Sequence, residues 1–146
     1  MVICIKRFED LTARELYEIL KARVDVFVVE QKCPYPELDG LDYESLHYAH
    51  FNDNGTVAAY LRMSVMDKDT GLVRMGRVLT TQRGTGLGGE LLHHGIELAR
   101  SLLDAQSIYI EAQTYAVGFY AREGFEVISE EFLEDGIPHV KMLLKL

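Results

Sequence analysis

A glycine-rich segment is the part of the sequence whose residue types most directly suggest chemistry. It reads GRVLTTQRGTGLGGELL from Gly76 to Leu92 and joins a predicted strand to a predicted helix. The first amides of a helix have no partner inside the helix, and the helix dipole adds positive potential there. Glycines let a ligand approach this backbone closely. The segment therefore predicts a pyrophosphate-binding turn.

The local charge supports that prediction. The chain has 15 Lys and Arg residues against 23 Asp and Glu residues, which gives a formal net charge of −8. The window 70–89 nevertheless contains no acidic residue, and it contains Arg74, Arg77 and Arg83. We expect these arginines to provide a positive field for an anionic ligand. The acidic balance of the whole chain argues against nucleic acid as a partner, since that partner needs a basic surface.

The sequence of this segment partly resembles two other phosphate-binding motifs. Gly84-x-Gly86-x-x-Gly89 formally matches the dinucleotide fingerprint. That fingerprint directly follows its strand, whereas residues 80–83 intervene here, and only about 57 residues follow, too few for a doubly wound sheet. A P-loop requires Gly-Lys-Ser/Thr, which is absent. A nucleotide-dependent oxidoreductase is therefore the least favoured of the functions considered.

The elements that would position this turn follow from apolar spacing and turn signals. Thr12 to Glu15 has the pattern of a capping box, and the spacing behind it predicts a helix to about Gln31 with at most one break. The prediction continues with strands at 2–6, 46–51, 57–65, 73–79 and 107–112, a helix after Gly89, a short helix at 116–123, and closing strands at 125–129 and 139–144. We expect one α/β (α+β) domain over residues 1–146, with a central mixed, mostly antiparallel sheet flanked by helices.

Two segments, about thirty residues apart, resemble the signatures of a known family. Arg83-Gly-Thr-Gly86-Leu-Gly88 resembles the Arg/Gln-x-x-Gly-x-Gly/Ala motif of the GNAT superfamily of acetyl-CoA-dependent N-acetyltransferases. Phe119-Tyr120-Ala-Arg-Glu-Gly124-Phe125 resembles the second signature of that family. The predicted order of elements is also similar over essentially the whole chain. The segments VFVVEQKCPYPELDGLDYE, EAQTYAVGFYAREGF and DGIPHVKM are similar to the ElaA-like branch.

The resemblance implies roles for particular residues in binding acetyl-CoA. The backbone of Arg77 and Val78 would pair with pantetheine like an added strand. Backbone amides of the turn would hold the pyrophosphate, namely those of Arg83, Gly84, Thr85, Gly86, Leu87, Gly88 and Gly89. The family often has an Asn a few residues before its tyrosine that contacts the cofactor, and residues 115–118 contain none.

The resemblance also implies the chemistry. A primary amine, on a small molecule or a peptide, would attack the thioester directly in a ternary complex, without a covalent enzyme intermediate. Tyr120 would lie near the sulfur and protonate the departing thiolate, because a phenol stays protonated at neutral pH. A non-catalytic module that binds acyl-CoA on the same fold is the alternative function.

The base that would accept the amine's proton is left open by the sequence. Glu111 follows a short predicted strand, on the same face as Tyr109, and could take that proton through a water. The rivals are Glu30, the acids of the loop 37–44, and no dedicated base at all. Those loop acids are either a solvated surface or the rim of a site for a cationic acceptor, and the solvated surface is favoured.

The histidines and cysteines suggest no metal site. Cys4 and Cys33 are too few for a disulfide framework or a cysteine-rich zinc site. The adjacent pair 93–94 lies about 100° apart on a helix, and the pair 47 and 50 falls on opposite faces of a strand. Cys33 is expected to be structural. His139 could line the acceptor pocket or merely begin a strand, and the strand is favoured.

No targeting signal stands out in the sequence. The first residues, MVICIKRFED, lack the pattern of a signal peptide, and no run of 18 apolar residues could form a membrane span. We therefore expect a cytoplasmic protein without a membrane partner, acting as a monomer or a homodimer.

Overall fold

All eight strands of the protein join into one sheet. The computed structural model describes residues 1–146. The strands are β1 (Val2–Arg7), β2 (Leu46–Phe51), β3 (Val57–Asp67), β4 (Leu72–Thr80), β5 (Ser107–Gln113), β6 (Glu126–Val127), β7 (Phe132–Glu134) and β8 (Ile137–Lys145). The α-helices are α1 (Ala13–Arg23), α2 (Leu87–Leu103) and α3 (Val117–Ala121), with 3-10 turns at Phe8–Asp10, Leu41–Glu44 and Thr114–Ala116. No helix is long and apolar enough to cross a membrane.

The sheet is mixed and mostly antiparallel, as predicted. The strand order is β1-β2-β3-β4-β5-β8-β6, and β7 also pairs with β8. Only β4 and β5 run parallel. The strand β7 was not predicted, and the predicted strand at 125–129 shortens to the two residues of β6. Both differences lie in the strand ends and turns around β8.

The first helix begins at the predicted capping box. The Thr12 hydroxyl accepts the Glu15 amide at 3.1 Å, and the Glu15 carboxylate accepts the Thr12 amide at 2.8 Å. The helix continues as α1 and then, in one break as predicted, as a π-helical segment at Val24–Glu30. Lys6 of β1 donates to Glu15 at 2.9 Å and so fixes the helix start against the sheet.

Helices cover both faces of the sheet. On one face α2 packs its buried stripe against β3 and β4, and a Cβ built on Gly95 would lie 2.7 Å from Leu61 Cδ2. A larger residue at this position would force the Leu61 side chain to move. On the other face Ile19 and Val26 pack against Tyr60 and Leu79. The two layers hold β4 rigidly between them.

The strands β4 and β5 separate soon after they meet. Their parallel pairing covers only residues 72–74 of β4 and 107–109 of β5. β4 continues to Thr80 and β5 to Gln113. The divergence opens a cleft in the middle of the sheet, bounded by residues 75–80 and 110–113.

Candidate active site

The cleft between β4 and β5 brings most of the predicted site residues together. It has a volume of about 1030 Å³. Arg77, Val78 and Gly88 line one side of it, and Glu111 and Tyr120 line the other. Residues that are 43 positions apart in the chain thus face one space.

A β-bulge lies on the cleft edge of β4. Tyr60 of β3 pairs with Leu79, but Arg62 pairs with Gly76, so β4 has one residue more than β3 in this stretch. Arg77 adopts a φ of 52°, in the left-handed region. A bulge re-aims the strand and ends regular pairing. This bulge lies in the pairing with β3. On its other side, facing the cleft, the backbone of β4 beyond Arg74 has no strand partner, because the pairing with β5 ends at Arg74.

The glycine-rich turn leads from the bulge into α2. Gly84 and Gly86 have φ values of 72° and 77°, and a Cβ built on either glycine would meet no atom within 4 Å. Gly86 is the residue before α2, and no side chain caps this helix. An adjoining cavity of about 500 Å³ is lined by Arg83, Gly84, Gly86, Leu87, Gly88, Gly89 and Arg122, among others. The uncapped helix start therefore faces open space.

One amide of the turn is already used. The Leu87 amide donates to the Thr85 hydroxyl at 3.4 Å, a long hydrogen bond. The next amide with an intrahelical partner is that of Glu90, which donates to the Gly86 carbonyl at 3.2 Å. The amides of Gly88 and Gly89 lie between them without an acceptor, as is normal for the first turn of a helix.

The three arginines expected to form one positive field do not act together. Arg74 pairs with Glu111 at 3.3 Å, and Arg77 pairs with Glu37 at 2.6 Å. Only Arg83 stays beside the glycines, where it pairs with Glu30 at 2.9 Å across an exposed surface. The expectation is wrong for the side chains of Arg74 and Arg77, because acids distant in the chain neutralise them.

A different basic residue lies beside the glycine turn. Arg122, in the turn after α3, lines the smaller cavity and makes no ion pair. The sequence analysis missed it. Its place inside the second family-like signature, two residues after Tyr120, was the available signal.

The Tyr120 hydroxyl makes no hydrogen bond to the protein. Its ring packs edge-on against Phe119 and Phe125, with centroid distances of 5.1 and 5.8 Å. Burial raises the pKa of Tyr120 far above its ordinary value, and Tyr115 adds to the shift. The phenol is thus held protonated at the wall of the cleft, where a ligand could accept its proton.

Glu111 lies on the cleft wall but already has partners. Arg74 donates to both of its carboxylate oxygens at 3.3 Å, and the Tyr109 hydroxyl donates to one of them at 3.1 Å. Tyr109 shares the face of Glu111, as predicted. The carboxylate is therefore held as a charged partner of Arg74.

Three of the four acids of the loop 37–44 form an ionic network, whereas Glu44 is exposed and unpaired. Glu37 and Asp42 are only 3% and 7% exposed. With Asp39 they pair with three arginines from three different elements: Arg23, Arg62 and Arg77. Arg23 is completely buried. The expectation of a mainly solvated loop is wrong, because buried guanidinium groups draw these carboxylates inward.

Glu37 is the centre of this ionic network. It accepts Arg23 Nε at 2.8 Å and Arg77 Nε at 2.6 Å, and the Tyr35 hydroxyl also donates to it. It therefore connects the long first helix to the bulge of β4. Arg23 gave a signal in the sequence: it sits on the apolar face of its helix, four residues after Ile19 and three before Val26.

The remaining carboxylates of the network are strongly held in their charged form. Burial by itself would raise the pKa of Asp39, but the hydrogen bond and charge of Arg62 outweigh burial and lower that pKa to about 2. Asp42 follows the same pattern, with burial opposed by Arg23 and Arg62, and its pKa is lowered. Neither aspartate is suited to accept a proton at neutral pH.

His139 both lines the cleft and belongs to a strand. It lies on β8 opposite Gln113 of β5, and it is 7% exposed. Its Nδ1 lies 2.7 Å from the Ile137 carbonyl, and its Nε2 lies 3.5 Å from Glu134 Oε2. Cys33 is also buried at the cleft and contacts the Asp135 carbonyl at 3.4 Å. His139 thus belongs to a strand, as favoured, and also lines the cleft.

A family comparison decides what this architecture is. The model of the acetyltransferase (GNAT) domain matches residues 12–146 of the chain. The chain belongs to the GNAT acetyltransferase family. The match includes β4, the glycine turn, α2 and Tyr120, so the resemblance seen in the two signatures extends over the whole cleft.

Relatives of this GNAT protein belong to the ElaA-like branch, as predicted. It is 44% identical over 143 residues to a UPF0039 protein of Mycobacterium tuberculosis, a match that covers 92% of this chain and 87% of that protein. It is 35% identical over 137 residues to ElaA of Escherichia coli, covering 91% of this chain and 89% of ElaA. The likeness spans nearly complete chains in each case.

Solved structures share the same fold. The crystal structure of an acyl-CoA N-acyltransferase from Pseudomonas aeruginosa superposes with a TM-score of 0.88 at 38% identity, over 98% of this chain and 99% of that one. The crystal structure of Escherichia coli ElaA has the same TM-score at 32% identity, over 97% of both chains. The mixed sheet with its central cleft is thus the GNAT fold.

Proposed function

We propose that this GNAT protein, acting through one domain over residues 1–146, transfers the acetyl group of acetyl-CoA to a primary amine. The amine, on a small molecule or a peptide, would attack the thioester directly in a ternary complex. One observation carries the proposal: the unpaired edge of β4, the open glycine turn and the partner-free Tyr120 hydroxyl all border the same cleft. Family membership supports acyl-CoA-dependent N-acetyl transfer in general.

The geometry of the cleft fits an acyl-CoA molecule. The free edge of β4 at Arg77 and Val78 suits an amide-containing arm such as pantetheine, which would add to the sheet like a strand. The space above Gly84 and Gly86 lets a pyrophosphate reach the backbone amides from Arg83 to Gly89. Arg83 and Arg122 flank that space and would add charge-assisted contacts to the phosphates.

The bound thioester would supply the electrophilic carbonyl, and the chain would handle the protons. Tyr120 would give its proton to sulfur as the C–S bond breaks, and it would regain one from solvent. Burial raises the pKa of the phenol, so the group carries its proton over the whole physiological range of pH and gives it up only to a strong acceptor such as a developing thiolate. The amine nitrogen would form the C–N bond and lose one proton to a base or to water.

Glu111 stays the candidate base that the sequence suggested. Its position on the cleft wall supports the proposal, while its pairing with Arg74 and Tyr109 leaves it few free lone pairs. The rivals are similarly engaged: Glu30 pairs with Arg83, and the loop acids pair with buried arginines. A pH profile of the Glu111→Gln variant tests its role.

The alternative function is a module that binds acyl-CoA without catalysis. The same cleft would serve it, so binding alone does not separate the two. A continuous thiol-release assay with acetyl-CoA and a panel of amines does, since only a transferase releases CoA when an amine is added. The same assay ranks small amines against peptide amines as acceptors.

A further inference from the structure

One side chain that lines the cleft, His139, combines a lone pair with a fixed orientation. The carbonyl of Ile137 can only accept a hydrogen bond, so Nδ1 of His139, 2.7 Å away, carries the proton of the neutral ring. The lone pair is then on Nε2. The ring also stacks on Phe132 at 5.9 Å, with 27° between the planes, which restricts its rotation.

The groups around Nε2 would stabilise a proton placed there. Glu134 Oε2 lies 3.5 Å from Nε2, close enough to pair with an imidazolium. Burial raises the pKa of Glu134, and the nearby charge of Glu111 raises it further. Asp135 and Arg77 are the remaining charged groups near that carboxyl. On the β5 side the ring faces Gln113, which is neutral.

Three other acids of the cleft are occupied by arginines, whereas Asp135 lines the cleft without an ion pair. Glu111 pairs with Arg74, Glu30 with Arg83, and Asp39 with two guanidinium groups. Histidine is also the side chain whose protonation changes most readily near neutral pH. We propose that His139, oriented by Ile137 and Glu134, is the base that removes the proton from the acceptor amine. This inference rests on the proposed transferase function.

The proton inventory of the reaction then balances. An amine that arrives protonated gives one proton to His139 Nε2, which frees the nitrogen lone pair. The nitrogen then forms its bond to the acetyl carbonyl carbon and loses its second proton to water. The C–S bond breaks, and the sulfur takes the Tyr120 proton. His139 afterwards releases its proton to water, and Tyr120 recovers one, so the products are the amide and free CoA thiol.

The test is the pH profile of kcat/KM on the best amine, for the wild type, His139→Gln, Glu134→Gln and Glu111→Gln. His93→Gln is the matched control, because His93 also pairs with a glutamate, Glu123 at 2.8 Å, but lies on the exposed side of α2. Calorimetric affinity for acetyl-CoA checks that each variant is folded.

We expect His139→Gln to lower kcat/KM by about 10²-fold or more, the usual scale for one general base. In this variant the limb that His139 sets in the wild type should vanish, and the rate should rise with pH only as the amine itself loses its proton in solution. The loss should shrink for an amine whose own pKa lies below the assay pH, since that amine arrives neutral. Glu134→Gln should move the acidic limb to lower pH, because the imidazolium loses its partner.

Each contrary result leads to a different conclusion. If His139→Gln keeps the limb and the plateau, or if Glu111→Gln removes the limb instead, His139 is not the base. If His139→Gln does not fold, an unmoved limb in Glu134→Gln overturns the proposal. If the wild type binds acetyl-CoA but releases no thiol with any amine, the proposed function itself fails, and this inference fails with it.

Discussion

At the scale of single residues, Tyr120 is the side chain on which the proposed chemistry depends most. Its hydroxyl has no protein partner, and burial raises its pKa, so the group is a proton donor without a competing acceptor. Tyr120→Phe keeps the ring packing against Phe119 and Phe125 and removes only the proton. We expect kcat to fall by about 10²-fold or more, with little change in the affinity for acetyl-CoA.

Steady-state kinetics at saturating acetyl-CoA measures this effect. Tyr17→Phe is the matched control, because Tyr17 is 66% exposed on α1 and does not line the cleft. Full activity of Tyr120→Phe, under conditions in which chemistry limits the rate, would make Tyr120 a packing residue and water the acid.

From residue types alone, the side chains that line the cleft were easier to predict than the partners that each of them binds. Tyr120, Glu111 and the glycines lie where the sequence placed them. Arg77 does not serve a phosphate, because Glu37, 40 residues away in the chain, holds its guanidinium. Charge pairing over such a separation is set by the tertiary fold, and no local pattern in the sequence reveals it.

At the scale of elements, the turn before α2 must leave its amides open. Gly86→Val should weaken acetyl-CoA binding at least tenfold, because a branched side chain at a φ of 77° strains the backbone and enters the open space above the turn. Gly136→Val is the matched control: that glycine has the same φ of 77° and equally open surroundings, but lies in the turn between β7 and β8. Isothermal calorimetry compares the two, and equal affinities would remove the turn from the binding site.

The loop 37–44 is tied to the helices and strands by charge. Glu37→Gln leaves Arg23, completely buried, and Arg77 without their shared carboxylate. Breaking a buried pair on one side typically costs about 3–5 kcal/mol of unfolding free energy. Glu97→Gln, which removes an exposed pair with Arg100, should cost about 1 kcal/mol or less.

Chemical denaturation measures both unfolding free energies. A loss below about 1 kcal/mol for Glu37→Gln would mean that water or another acid replaces the carboxylate, against the value expected for a buried pair. Reduced acetyl-CoA affinity in the same variant would indicate that the network also positions the bulge at Arg77.

Regular elements were predictable where local signals were strong. The capping box at Thr12 to Glu15 and the apolar stripe of α2 depend only on neighbouring residues, and both form as expected. The strand β7 has three residues and forms only by pairing with β8, so its own sequence gives almost no signal. The bulge at Arg77 likewise depends on the register with β3 and is invisible in one strand alone.

At the scale of the whole molecule, one feature of topology creates the site. β4 and β5 are the only parallel neighbours, and their early separation opens the sheet at its centre. Helices pack on both faces of the sheet, and the glycine turn and α3 lie side by side along the cleft, since a Cβ built on Gly88 would lie 3.6 Å from Phe119. The order of elements predicted the mixed sheet, whereas the separation of these strands required the structure.

The most direct test of the account is amine-dependent release of CoA thiol by the purified wild-type protein. Acetyl-CoA is held at saturation, amines are added singly, and mass spectrometry counts the acetylated amine formed. We predict that at least one primary amine releases thiol above the hydrolysis background, with one acetylated amine for each CoA, and that Tyr120→Phe lowers this rate about 10²-fold. Tight binding of acetyl-CoA with no amine-dependent thiol release across the panel would contradict the account and favour a module that only binds acyl-CoA.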